Sequence, residues 1–265
     1  MAIAETAAPR FEMGRVVKRT ISVTGSNLVT FAILSLVVGV PLLAFQWNST
    51  QFATGLVREG EFNFDAMQFY SLGWFVYLLS SFVLQAGVIH ATVTHLSGRS
   101  ASVGNCFATG LSSLPKLALL TLVMIPALMA SAILLFIPVI ILAIMWYVAV
   151  PSCVVERTGV FGALSRSRAL TRGYRWPIFG LYLVFLIFGV ILTITMEALT
   201  GMGLLGPSEN SGANAADPTI IQMVGSVIGT MVVTTLGSAL VASTYYELRQ
   251  IKEGIGPEAL ASVFD

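Results

Sequence analysis

Five long runs of the chain contain no Asp, Glu, Lys or Arg: residues 20–57, 66–98, 117–155, 176–196 and 218–246. Each reaches or exceeds the roughly 20 residues with which a helix crosses a hydrocarbon layer about 30 Å thick. Composition agrees. Hydrophobic residues make up 56% of the 265 and charged residues 10%, where soluble domains carry about 25% charge. These proportions exclude an ordinary water-soluble domain, a disordered chain and a nucleic-acid binder, and they point to an all-α integral membrane protein. The net charge of +1 adds nothing, because placement of charge matters in such a protein and the total does not.

Hydropathy places the first span at 28–47 and the second at 70–95, with a loop over 48–69 between them. The 39-residue run 117–155 is too long for one crossing and suits two helices joined by a tight turn. Pro138, suited to a first helical turn, puts that turn at 135–138. Span five covers 176–200 and span six 220–245, joined by a linker rich in Gly, Ser, Asn and Pro over 201–219. The segment before the first span already holds Arg10, Arg15, Lys18 and Arg19, which is too charged and too long for a cleaved signal peptide, so the span reads as uncleaved.

Six spans put both termini on one side. Of the 14 lysines and arginines, every one except Arg58 falls on that side, so the positive-inside rule makes the termini cytoplasmic. Short segments of helical period precede each outward-going span, over 13–26, 103–114 and 160–174. Each suits a helix lying in the membrane interface. The expected fold is therefore a single polytopic domain over 1–265: six transmembrane helices as three hairpins, each preceded by a cytoplasmic interfacial amphipathic helix.

Little of the chain suggests chemistry. Gly201, Gly203 and Gly206 spell G-x-G-x-x-G, but the motif needs a strand before it and a helix after it to cradle a pyrophosphate. His90 and His95, five apart, point about 140° away from each other on a helix and do not chelate one metal unaided. Neither G-x-S-x-G nor H-E-x-x-H occurs. Cys106 and Cys153 make neither a disulfide framework nor a zinc site. No catalytic, metal or cofactor site is expected. Polar residues inside spans are costly and therefore informative: Gln85 in span two, and Thr193 and Glu197 on one face of span five, form a candidate intramembrane polar site. Gly225 and Gly229, spaced G-x-x-x-G in span six, suit close helix packing.

The stretch 156–176 is the most unusual. Read as one helix, it carries Arg168, Arg172 and Arg175 at i, i+4 and i+7 as a stripe suited to anionic lipid head groups, each worth about 1 kcal/mol near a charged surface. Setting topology is the alternative role for these arginines. Pro151, Glu156, Ala163-Leu164, Arg166-Ser167, Leu170, Gly173 and Trp176 stand in this order. Together with Tyr245-Tyr246-Glu247-Leu248-Arg249 and Glu253-Gly254, they resemble the membrane domain that accompanies some bacterial glycerophosphodiester phosphodiesterases, and related stand-alone bacterial membrane proteins. The likeness covers roughly 140–255. It implies a multi-pass protein of the bacterial cytoplasmic membrane without the catalytic (β/α)-barrel of the fused relatives, which needs some 200 further residues. The expected function is non-catalytic binding of anionic lipid head groups or of a partner protein. A small-solute or ion transporter is the alternative, carried by Glu197 and the polar span faces.

Overall fold

The computed structural model describes residues 11–59, 64–134, 136–200 and 220–254, with side chains for these apart from 48–59, 65–66, 133–134, 136–137, 197, 200 and 220–222. Among the described residues all regular structure is helical: α1 Met13–Ser26, α2 Leu28–Glu59, α3 Phe64–Leu96, α4 Val103–Leu134, α5 Phe136–Met145, α6 Ala149–Val155, α7 Val160–Thr171, α8 Arg175–Thr200 and α9 Ile220–Glu253. Six segments are long and apolar enough to cross a membrane: Leu28–Trp47, Met67–Leu96, Val103–Ala132, Pro138–Val155, Arg175–Met196 and Met223–Glu253.

Local chemistry sets where several helices stop. Asn27 closes α1 by donating its side-chain amide to the Val23 carbonyl at 2.9 Å and its backbone N–H to the same oxygen at 3.0 Å. Its own carbonyl then accepts the Phe31 N–H at 2.9 Å, so one residue ends α1 and opens α2. Beyond the end of α3, Gly98 takes φ +78° and lets the Arg99 N–H reach back to the Thr94 carbonyl, a left-handed glycine closure that a side chain would strain. Ser102 caps α4, accepting the Asn105 N–H on its hydroxyl at 3.2 Å.

Three sequence expectations need correction. The loop placed over 48–69 is largely helix, since α2 runs through Glu59 and α3 begins at Phe64; hydropathy marks where a helix leaves the apolar layer, not where its hydrogen bonds stop. The segment 103–114 is no separate helix, because α4 continues unbroken through it and through Pro115. Span four is the reverse case. It is broken at 146–148 into α5 and α6. Pro151 stands in the first turn of α6, where its missing N–H and its ring meet no preceding helical turn.

α3 and α9 form the centre. α3 packs on α2, α4, α6 and α9, while α9 packs on α1, α2, α3, α7 and α8. Lipid tails are as apolar as leucine, so close backbone approach and packing hold such helices together. The tightest approach is α3 on α4, where a Cβ added to Gly110 would lie 2.7 Å from the Val83 carbonyl oxygen and one added to Gly87 would lie 3.2 Å from that of Cys106. α8 is peripheral and exposes Val184, Ile187, Val190 and Ile191.

Candidate functional site at the basic end of the bundle

α9 has 34 residues and is about 51 Å long, well beyond the roughly 30 Å of a hydrocarbon core. Its last turns therefore carry charge outside the apolar layer, and they organise everything around them. Tyr245 donates to Glu156 at 2.7 Å, and Arg166 of α7 donates its Nε to both oxygens of Glu156 at 2.9 Å. Arg166 also bonds Glu253, Arg249 donates to Glu253 at 2.9 Å, and Arg249 returns to the Tyr245 hydroxyl at 3.2 Å. The result is a closed ring of five side chains tying α9, α7 and the α6–α7 linker. Burial works against the Arg166 charge, but its hydrogen bonds to Glu156 and Glu253 outweigh that and leave it more basic than an ordinary arginine.

A second set fixes α1. Glu247, 1% exposed, pairs with Arg19 and lies 3.4 Å from Arg15. Arg19 also donates to Gln250 at 3.0 Å and sits 5.2 Å above the Tyr246 ring, whose hydroxyl donates to the Leu96 carbonyl of α3. Lys252 bonds the Ala169 and Arg172 carbonyls at the end of α7, where a cation satisfies orphan helix carbonyls. The break in span four is anchored here too, because the Ser167 hydroxyl donates to the Met145 carbonyl at 2.9 Å, while the Thr171 hydroxyl lies 3.3 Å from that oxygen and bonds the Ser167 carbonyl of its own helix at 2.9 Å.

Next to the ring opens a polar cleft of about 330 Å³ between α3, α4, α6 and the α6–α7 linker. His90, Ser113 and Cys153 are its half-buried or buried parts, while Ser112, Lys116 and Arg157 are exposed. Glu156 faces the ring, and the following residue, Arg157, has φ +52° and lines the cleft.

The residues singled out from sequence are not all brought together. The arginine stripe assumes one helix through residue 175, but α7 ends at Thr171 and Gly173 turns the chain at φ +92°. Arg168 thus sits on α7, Arg172 in the turn and Arg175 at the start of α8, the first two exposed and the third partly buried. Thr193 is exposed and donates to the Gly189 carbonyl of its own helix at 2.9 Å. Gln85 is on α3, which is not a main packing partner of α8, and the Glu197 side chain lies outside the described residues. Gly229 meets α8, where an added Cβ would lie 3.3 Å from Met196, while Gly225 is partly exposed. Other span hydroxyls, such as those of Thr230 and Ser238, also bond carbonyls one turn back in their own helix. Sequence reading missed Lys116 and Arg157 as a pair and weighed His90 only as a metal ligand. The signal was present in the charges of Lys116 and Arg157, which stand just outside the two ends of the uncharged run 117–155 and must return to one level when that run folds back.

A family model described as a domain of unknown function, DUF7847, matches residues 68–248. That interval contains most of α3, all of α4 to α8 and most of α9, with the cleft and three members of the ring, Glu156, Arg166 and Tyr245. No curated protein and no solved structure matches the chain.

Proposed function

We propose that this chain, which belongs to the DUF7847 family, is a non-catalytic membrane protein that holds anionic lipid head groups at the cytoplasmic face of a bacterial inner membrane. One observation carries the reading. Arg15, Arg19, Arg166 and Arg249 are engaged in ion pairs inside the protein, whereas Arg168 and Arg172 are exposed and meet no carboxylate among the described residues. Cations left over after a network has closed are available to lipid phosphates. Aromatic side chains flank them, with Phe161 77% and Trp176 82% exposed, as suits a surface resting at head-group level. In this reading α1 and α7 lie in the interface, each before a pair of spans, and the third such segment is fused into α4. Glu156, Arg166, Tyr245, Arg249 and Glu253, the five residues of the ring, are among the larger set that carries the likeness to the phosphodiesterase-associated membrane domain. By that likeness, the protein works beside enzymes of lipid head-group chemistry and contacts a partner protein in the membrane.

The break in span four favours transport as a second reading, since transporters bind substrate at interrupted helices. Here, however, the Ser167 hydroxyl of α7 already satisfies the Met145 carbonyl at the break. The test is lipid retention. Replacing Arg168, Arg172 and Arg175 together with Gln lowers the phosphatidylglycerol and cardiolipin that co-purify, measured by native mass spectrometry, while insertion is unchanged. Retention equal to that of the unaltered protein overturns the role of these arginines.

A further inference from the structure

Lys116 is the last charge before the run 117–155, and Arg157 follows it by one residue beyond Glu156. The packing of α4 against α5 and α6 brings both to one level, at the border of the apolar layer. No carboxylate lines the cleft, and neither cation has a carboxylate partner among the described residues. Two cations gathered without a counter-ion repel one another, an arrangement that a bound anion relieves.

The backbone of Arg157 is an independent observation. Its φ of +52° is a conformation that residues other than glycine rarely take, and one that persists where neighbours enforce it. Here Glu156 is gripped by Arg166 and Tyr245 on one side, and Gly159 starts α7 on the other. A glycine would fit this turn without strain. The chain instead keeps a long cationic side chain at the mouth of a polar cleft.

We propose that the cleft binds a phosphate-ester anion, with Lys116 and Arg157 as its cationic clamp and Thr109, Ser113 and His90 supplying further hydrogen bonds. A phosphodiester sets its two non-bridging oxygens tetrahedrally at a phosphorus that its ester oxygens also surround, and a phosphomonoester offers three such oxygens with up to two charges, which suits donors converging from several helices. The volume of about 330 Å³ stands at the small end of ligand pockets, which span roughly 300–1,000 Å³, so it takes a head group or a free small phosphate and leaves acyl chains outside. The proposal rests on the reading of the protein as a binder of anionic head groups, but it moves the ligand from the exposed arginines of α7 into a built site.

The test uses the full chain in phosphatidylcholine nanodiscs containing a minor share of phosphatidylglycerol. Arg157→Gly removes the guanidinium and suits the left-handed backbone, so it keeps the fold; Lys116→Gln alters an exposed side chain. Native mass spectrometry counts retained phosphatidylglycerol, and calorimetry in lipid lacking it measures glycerol 3-phosphate and inorganic phosphate. The expected result is retained phosphatidylglycerol that falls at least about tenfold in each variant, the size of losing one charge-assisted hydrogen bond, and that Lys116→Arg preserves. Loss of glycerol 3-phosphate binding with unchanged lipid retention assigns the cleft to free phosphate esters instead. If both variants match the unaltered protein in both arms, the cleft proposal is overturned. Should the triple Arg→Gln variant at 168, 172 and 175 still lose lipid in that case, head-group binding stands without the cleft; if the unaltered protein takes up neither lipid nor soluble phosphate, both fall.

Discussion

Gly110 shows how little room single residues leave where α3 meets α4. A Cβ there would lie 2.7 Å from the Val83 carbonyl oxygen and 3.1 Å from the Val83 Cα, so backbone and not a flexible side-chain tip would have to move. Gly110→Ala is expected to destabilise the protein by about 1–3 kcal/mol, as overpacking does, and to lower the thermal midpoint in detergent. A Cβ added to Gly104, earlier on the same helix, would meet nothing within 4 Å, so Gly104→Ala leaves the midpoint unchanged or slightly higher. Equal midpoints for the two variants would sink the claim of backbone contact. Residue-level detail of this kind is only half legible in the sequence. Gly225 and Gly229 stand out by their spacing, yet the tightest glycine is Gly110, whose constraint comes from the facing helix. The same holds for the basic side chains. Spacing alone puts Arg168, Arg172 and Arg175 on one stripe, and a turn at Gly173 dissolves it, while Lys116 and Arg157, 41 positions apart in the numbering, line one cleft.

Elements are more legible than residues where charge marks their limits and less so where hydrogen bonding does. Charge-free runs locate the six apolar segments because moving a charge into lipid costs several kcal/mol. The same signal is blind to a helix that continues into water, as α2 does through Glu59, and to one that breaks inside the apolar layer, as span four does. Pro151 is the available clue to that break. Once the helix is interrupted, its carbonyls need new donors, and α7 provides one: the Ser167 hydroxyl donates to the Met145 oxygen, with the Thr171 hydroxyl beside it bonded to the Ser167 carbonyl. Both residues are fully buried, so water does not replace them readily. Ser167→Ala is expected to cost about 1–3 kcal/mol, the penalty of leaving one buried acceptor unsatisfied. Thr171→Val costs less, because its hydroxyl bonds a carbonyl of its own helix that the α-helical ladder also serves. A Thr171→Val cost equal to or above that of Ser167→Ala, measured by thermal unfolding, would count against Ser167 as the donor that satisfies the break.

At the scale of the whole molecule, the question is which way the bundle faces, and the structure supplies a mechanical argument beside the charge count. Arg19 of α1 and Glu247 of α9 are paired, and Arg15 reaches the same carboxylate, so the first and last helices meet at one end. That end also holds the α6–α7 linker and the cleft, through the ring of Glu156, Arg166, Tyr245, Arg249 and Glu253. Most of the lysines and arginines among the described residues gather there, and the proposed orientation, by the positive-inside rule, puts that end in the cytoplasm. The native thiols do not report on this, since Cys106 is 0% and Cys153 1% exposed, and buried thiols resist labelling. Ser100, in the exposed turn between α3 and α4 at the same end, is the better probe. Ser100→Cys is expected to react with a membrane-impermeant maleimide in inverted vesicles and to stay unlabelled in intact spheroplasts, with detergent-unfolded protein as the control for total thiol. Labelling in spheroplasts would reverse the orientation and move both the cleft and the arginines of α7 to the outer face, where phosphate esters of the cytoplasm do not reach them.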